Sequence, residues 1–153
     1  MTIQSIESLE ERALGTVVHV GAGCGDGLED TLSLPAKRVV LVEPNPACLP
    51  PLQRIAQTNG RVTLLDVAVS AQDSPPETAP LHVWNTTALA SLRDATGLRR
   101  LFPGLREVTT PTVRLMSVPA LLAHCAPKAE DANLLILDAP GETGAIIEQL
   151  ARS

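Results

Sequence analysis

The stretch VVHVGAGCGDG, Val17 to Gly27, constrains the fold more than any other part of this chain. Val17-Val18-His19-Val20 is apolar and β-branched, the composition of a buried parallel strand. It breaks into four glycines at alternate positions, Gly21, Gly23, Gly25 and Gly27. Glycine accepts positive φ and lets a backbone approach a ligand closely. Leu28 to Leu34 can then form a short helix, with Asp26, Glu29 and Asp30 near its positive N-terminal end. Strand, glycine turn and helix in this order form the nucleotide-binding first unit of a doubly wound sheet. The same glycines also suit a turn that merely closes a strand onto a helix.

Spacing separates the candidate ligands. A dinucleotide fingerprint G-x-G-x-x-G counted from Gly21 needs glycine where Asp26 stands, and counted from Gly23 it needs one at Leu28. The Gly-Lys-Ser/Thr of a phosphate-binding loop is absent from the chain. Acidic residues at the helix start repel a pyrophosphate. The G-x-G-x-G pattern instead resembles motif I of the S-adenosylmethionine-dependent methyltransferases, whose cofactor carries no phosphate.

A length of 153 residues suits one domain, and 44% hydrophobic content supports a globular core. The formal net charge of -5, with Trp84 and Phe102 as the only aromatic residues, argues against nucleic-acid and anionic-membrane surfaces. Cys24, Cys48 and Cys125 are far apart and form no zinc or C-x-x-C pattern, which suits a reducing, cytoplasmic setting. No apolar run approaches membrane-spanning length, and residues 1–15 lack a signal peptide's basic start and hydrophobic centre.

Residues 2–14 carry apolar side chains at near-helical spacing, and Gly15 follows as a stop. Arg38 to Glu43 reads as a second strand, ended by Pro44-Asn45-Pro46. A helix then runs through Leu52, Ile55 and Ala56, with Pro50-Pro51 in or before its first turn. Arg61 to Val69 reads as a third strand. Leu81 to Trp84 is a short strand candidate, and Leu98 to Phe102 a short helix stopped by Pro103-Gly104. Val108 to Met116 reads as a strand in which Pro111 suits an edge position. Val118 to Cys125 reads as helix, Asn133 to Asp138 as a buried strand, and Gly144 to Ala151 as the closing helix. The pattern is α/β: a Rossmann-like, doubly wound, mainly parallel sheet in one domain over residues 1–153. It divides into an N-terminal helix (1–15), a ligand-binding half (16–70) and a second half (80–153).

Carboxylates fall at strand ends. Glu43, 18 residues after Gly25, can accept both hydroxyls of a ribose, or be a solvated strand end. Asp66 can accept an adenine amino group or cap a turn. Asp138 lies where open α/β sheets put working groups, and can act as base toward an acceptor hydroxyl or cap the last helix. Capping is the better role for Glu142. His19, inside a strand, reads as a hydrogen-bonded core histidine. His82 and His124 have no partner at ligand spacing, and Cys24 carries no mark of a nucleophile.

Taken together, VVHVGAGCG, VVLVEPNP, RVTLLDVAVS and LLILDAPGE resemble the FkbM-like family of class I methyltransferases, from about Val17 to Leu150. The matching features are Glu43-Pro44-Asn45, the exit Val67-Ala68-Val69-Ser70, the segment Ala90-Ser91-Leu92, and the turn Asp138-Ala139-Pro140-Gly141-Glu142. The resemblance implies a class I methyltransferase fold, here short at its C-terminal end, with S-adenosylmethionine as cofactor. It implies cofactor contacts from Gly21, Ala22, Gly23, Gly25, Glu43, Pro44, Asn45, Asp66 and Val67, and methyl transfer to oxygen on a small molecule or sugar. No metal site is assigned, because Asp138 and Glu142 alone are too few ligands for a hard cation. Three features depart from the pattern. His19 stands where the family carries an aspartate, the Asp-Val-Glu-Gly turn has become Asp-Ala-Pro-Gly, and later strands are missing. The alternative is a methyltransferase-like module without catalysis, serving in binding or assembly. A partner domain or second copy is then expected at the open sheet edge. A nucleic-acid amino-methyltransferase is a poor third, since the turn lacks the aromatic that stacks a flipped base.

Overall fold

A computed structural model describes residues 13–94 and 97–152. Four strands form one parallel sheet: β1 (Leu14–Val20), β2 (Ala36–Val42), β3 (Val62–Leu65) and β9 (Ala132–Leu137), in spatial order β3-β2-β1-β9. Between them lie helices α1 (Leu28–Ser33), α2 (Leu49–Thr58), α3 (Leu98–Leu101) and α4 (Val118–Cys125). α5 (Thr143–Leu150) follows β9. The architecture is α/β with a parallel core sheet, as expected.

Alternation along the strands sends apolar side chains to both faces, the mark of a sheet covered on two sides. Val17, Val39, Leu41, Leu134 and Ile136 turn to one face, covered by Leu28 of α1 and Leu52 of α2. Val18, Val20, Val40, Val42, Leu135 and Leu137 turn to the other, covered by Val118 and Leu121 of α4 and Ile146 of α5. Pro50 and Pro51 open α2, where a missing N–H breaks no helical bond. Ser117 caps α4, its hydroxyl accepting from the Ala120 N–H at 3.3 Å.

The strands end in register. Val20 pairs with Val42 and Leu137, and Val42 pairs with Leu65. Gly21, Glu43, Asp66 and Asp138 therefore all leave the sheet at its carboxyl edge. Gly21 is required there by the protein itself. A Cβ at this position, where φ is +84°, would lie 1.8 Å from the Asp138 carbonyl oxygen.

Several sequence expectations need correction. Residues 1–12, which carry most of the expected N-terminal helix, lie outside the described residues, and Leu14 and Gly15 belong to β1. Arg61 to Val69 is not one strand. β3 stops at Leu65 because its partner β2 gives way to Glu43-Pro44, and Pro44 has no N–H to extend the ladder. The chain then starts β4 (Ala68–Ser70), which pairs with β8 (Thr112–Ser117) in a second sheet of order β4-β8-β5, with β5 at Thr78–Pro80. Val108 to Met116 is likewise two strands, β7 (Glu107–Thr109) and β8, with Pro111 between them rather than at an edge. β7 pairs antiparallel with β6 (Val83–Trp84), beside a small core of Trp84 and Leu105.

Leu52 is fully buried between α2 and the sheet. Leu52→Ala should cost about 2–5 kcal/mol, the usual range for an emptied core leucine site. A urea titration followed by circular dichroism checks it, and a cost below about 1 kcal/mol would mean that α2 does not hold this face.

Candidate functional site

The register sets the site, because every loop leaving the carboxyl edge converges on one cavity of about 240 Å³. That volume sits near the lower bound of small-molecule sites, roughly 300 Å³. Gly21, Ala22, Gly23, Glu43, Pro44, Val67 and Asp138 all line it, so seven of the expected site residues share one hollow.

Glu43 is the centre of the arrangement. It is 5% exposed, and no other charged residue is buried among the described residues. Its Oε2 accepts from the Gly23 N–H and its Oε1 from the Asn45 N–H, each at 2.8 Å. Burial pushes the carboxyl above its ordinary value, while these two hydrogen bonds pull the other way. Each oxygen keeps a further lone pair, so the carboxylate can still accept from a ligand. Gly23 supplies its N–H at φ +61°, with open space where a side chain would stand.

The remaining expected residues have other engagements. Gly25 faces away from the cavity, toward Leu52 and Ile55 of α2. Asn45 holds the turn behind Glu43, its Oδ1 accepting from the Ala47 N–H at 3.1 Å, and its buried Nδ2 has no partner among the described residues. Asp66 pairs with Arg114 at 3.3 Å across an exposed surface and is absent from the cavity wall. The switch from β3 to β4 carries its side chain outward, and Val67 takes the wall position. Glu142 occupies the N-cap of α5 without capping it. Its carboxylate accepts from Arg93 Nε at 2.6 Å, and Thr143 Oγ1 bonds the Ala139 carbonyl instead.

The structure adds residues that the sequence did not flag for the cavity: His19, Asp26, Cys48, Leu81, Thr87, Ala88, Ala90, Leu92 and Pro140. Cys24, whose place in the glycine loop puts its backbone within reach of a ligand, lines it as well. Ser91 draws the Ala90–Leu92 segment onto the turn after β9, donating to the Pro140 carbonyl at 2.6 Å. His19 does hydrogen-bond, through Nδ1 to Thr31 Oγ1 at 3.1 Å, but it also lines the cavity. His82 does have a partner, Glu107 at 2.6 Å, away from the cavity. Cys24 and Cys48 form a disulfide joining the glycine turn to the segment after Glu43. Sequence spacing alone left this pair as separate thiols. Tertiary folding brings together ends that lie 24 residues apart.

Charge is lopsided. Among the described residues, Asp26, Glu43, Asp138 and Glu142 line the cavity, and no lysine or arginine does. Among the described residues no cluster of three or more His, Cys, Asp or Glu could hold a metal ion, and no helix is long and apolar enough to cross a membrane. The lining therefore favours a neutral or cationic ligand over a phosphate. No family model matches this chain, and neither the curated proteins nor the solved structures contain a match.

Burial holds the His19 imidazole below its ordinary 6.5, with the Asp138 charge opposing. Below that ordinary value the unfolded chain takes up a proton first, so this contribution to stability is full above it and falls as pH drops through the folded value. The melting temperature of wild type should therefore fall more between pH 7.5 and 5.5 than that of His19→Gln. Equal slopes in scanning fluorimetry would show that the imidazole protonates freely in the fold. Reducing the Cys24–Cys48 bridge should lower stability by about 3 kcal/mol, the chain-entropy value for a loop of this size. Urea midpoints with and without dithiothreitol measure that.

Proposed function

We propose that this chain is an S-adenosylmethionine-dependent methyltransferase domain of Rossmann-like, class I type, similar to the FkbM-like family, acting on a hydroxyl of a small molecule. The observation that carries the reading is a cation-free, carboxylate-lined cavity at the carboxyl edge of a parallel sheet, with a buried glutamate behind its glycine turn. The residues fit such a ligand. Glu43 has lone pairs left for a ribose diol, the Gly21–Gly23 backbone leaves the wall bare, and the surrounding carboxylates favour a positively charged sulfonium.

When bound, the cofactor would supply an electrophilic methyl group for an acceptor hydroxyl, whose proton must then be taken up. Asp138, exposed at the cavity mouth, is the group that would take or orient that proton. Glu142 is held by Arg93 and serves to fix the turn rather than the chemistry. Gly21 lets the glycine turn close against Asp138, bringing the two ends of the cavity wall together.

The module without catalysis remains the second reading. It is favoured by His19, an imidazole held neutral where the resembling family carries a carboxylate. β9 is apolar on both faces yet lies at the edge of its sheet, which supports a neighbouring strand from another segment, domain or copy. The cytoplasmic expectation rests on cysteine spacing, whereas a bridged Cys24–Cys48 pair belongs with an oxidising compartment. Thiol counting on protein alkylated at lysis distinguishes the two.

Isothermal titration with S-adenosylhomocysteine tests the cofactor site. Wild type should bind, and Glu43→Gln should weaken binding at least tenfold, about 1.4 kcal/mol. Asp138→Asn should bind within twofold of wild type while losing transfer of labelled methyl to cell-extract components. Absence of heat with folded wild type would overturn the reading. Binding without any transfer would leave the module.

A further inference from the structure

Both cysteines of the Cys24–Cys48 bridge line the cavity. The glycine turn that carries Cys24 is fastened unevenly. Gly21 and Ala22 donate their N–H groups to the Val42 carbonyl at 2.8 and 3.1 Å, and Gly23 donates to Glu43. These bonds hold the first half of the turn against the end of β2. Among the described residues, no hydrogen bond ties Cys24, Gly25, Asp26 or Gly27 to any segment except α1, into which they lead. Gly25 and Gly27 stand at φ +102° and +79°, where glycine has most conformational freedom to lose. Cys48, in contrast, ends the 3-10 turn Pro46–Cys48, and its N–H donates to the Asn45 carbonyl at 2.9 Å. The disulfide therefore ties the loosely held half of the turn to a segment that Glu43 already fixes.

The two sulfurs are unequally accessible. Cys24 is partly exposed, whereas Cys48 is buried at 1%. A small thiol entering the cavity meets the Cys24 sulfur first. Its thiolate bonds to Cys24 Sγ, the Sγ–Sγ bond breaks, and the electron pair leaves on Cys48 Sγ, which takes up the proton the thiol lost. A second thiol attacks the mixed disulfide, so two thiols are oxidised to one disulfide and the protein gains two thiols. Cys125 does not compete, being buried beside Val118 and Leu121 with its thiol pushed up by that burial. The β1–β2 pairing and both hydrogen bonds of Glu43 survive the exchange, so what is released is the turn and not the sheet.

Charge selects the thiol. Asp26 lies two residues from Cys24, and Glu43, Asp138 and Glu142 line the same cavity without a lysine or arginine among the described residues. The attacking sulfur is itself anionic, so a second negative charge on the thiol is repelled and an ammonium group is drawn in.

We propose that Cys24–Cys48 is a redox clamp on the cavity, closed as the disulfide and opened at Cys24 by small thiols that carry a positive charge. Opening frees Cys24 to Gly27 and withdraws Asp26 from the wall. The clamp goes beyond the methyltransferase reading and acts on whichever ligand the cavity takes.

Backbone ¹⁵N relaxation on the whole chain, bridged and then reduced with dithiothreitol, measures the clamp. Order parameters at Gly25 and Gly27 should fall from about 0.85 to below about 0.6, while Val18 and Val40 keep theirs. Cys24→Ala/Cys48→Ala should match the reduced wild type without reductant. Cysteamine and 3-mercaptopropionate then probe access, each rate being divided by that thiol's rate toward bis(2-hydroxyethyl) disulfide so that differences in thiolate content cancel. Cysteamine should open the bridge about tenfold faster. At about 1 M salt, where charges are screened beyond about 3 Å, that preference should shrink to near unity. Unchanged order parameters overturn the clamp, and so does loss of the circular dichroism spectrum on reduction, since the bridge then holds the fold and not the turn. Equal rates for the two thiols overturn the charge selection. S-adenosylhomocysteine should bind the reduced protein about tenfold more weakly, because the loose turn must be ordered again. If it binds neither form, the methyltransferase reading fails while the relaxation data still decide the clamp.

Discussion

Everything at the carboxyl edge depends on one carboxylate that faces inward. Glu43 takes N–H groups from Gly23 and Asn45, one on each oxygen. A charge in this position loses water, and burial accordingly raises its pKa. Two backbone donors offset that cost because a charge-assisted hydrogen bond is stronger than a neutral one. The result is a strut between the turn after β1 and the turn after β2. The Cys24–Cys48 bridge joins the same two segments a few residues further on. A bare glycine turn would be mobile in isolation, and here it is tied at two points.

The parallel register decides where the other acids go. In-phase strand ends put the exits of β1, β2 and β9 side by side, and two of the cavity carboxylates, Glu43 and Asp138, come from exits far apart in sequence. With no compensating lysine or arginine in the wall among the described residues, these carboxylates make a negative pocket inside a protein whose net charge is already -5. Such a lining attracts positive charge by the same physics that repels phosphate.

The other side of the molecule has a different character. Residues 83–94 and 97–109 form a small unit around Trp84 and Leu105, with β6 and β7 as its ribbon. It contains both of the chain's Phe and Trp residues, one buried and one at a groove rim. Ala88 lines both the acidic hollow and an apolar one.

The order of residues was sufficient for the glycine turn, the apolar strands, the proline-started α2 and the carboxylates at the exits, because each is a local pattern with a period or a steric rule behind it. Glu43 could be placed at a strand end from its neighbours Val42 and Pro44. Its inward turn onto Gly23 could not, because that bond joins residues 20 apart whose meeting depends on strand order. The same limit applies to Asp66, whose outward turn follows from β3 losing its partner, and to the disulfide. Local sequence dictates what each segment can be, but only the packing of distant segments decides which polar groups are paired off and which are left facing a ligand.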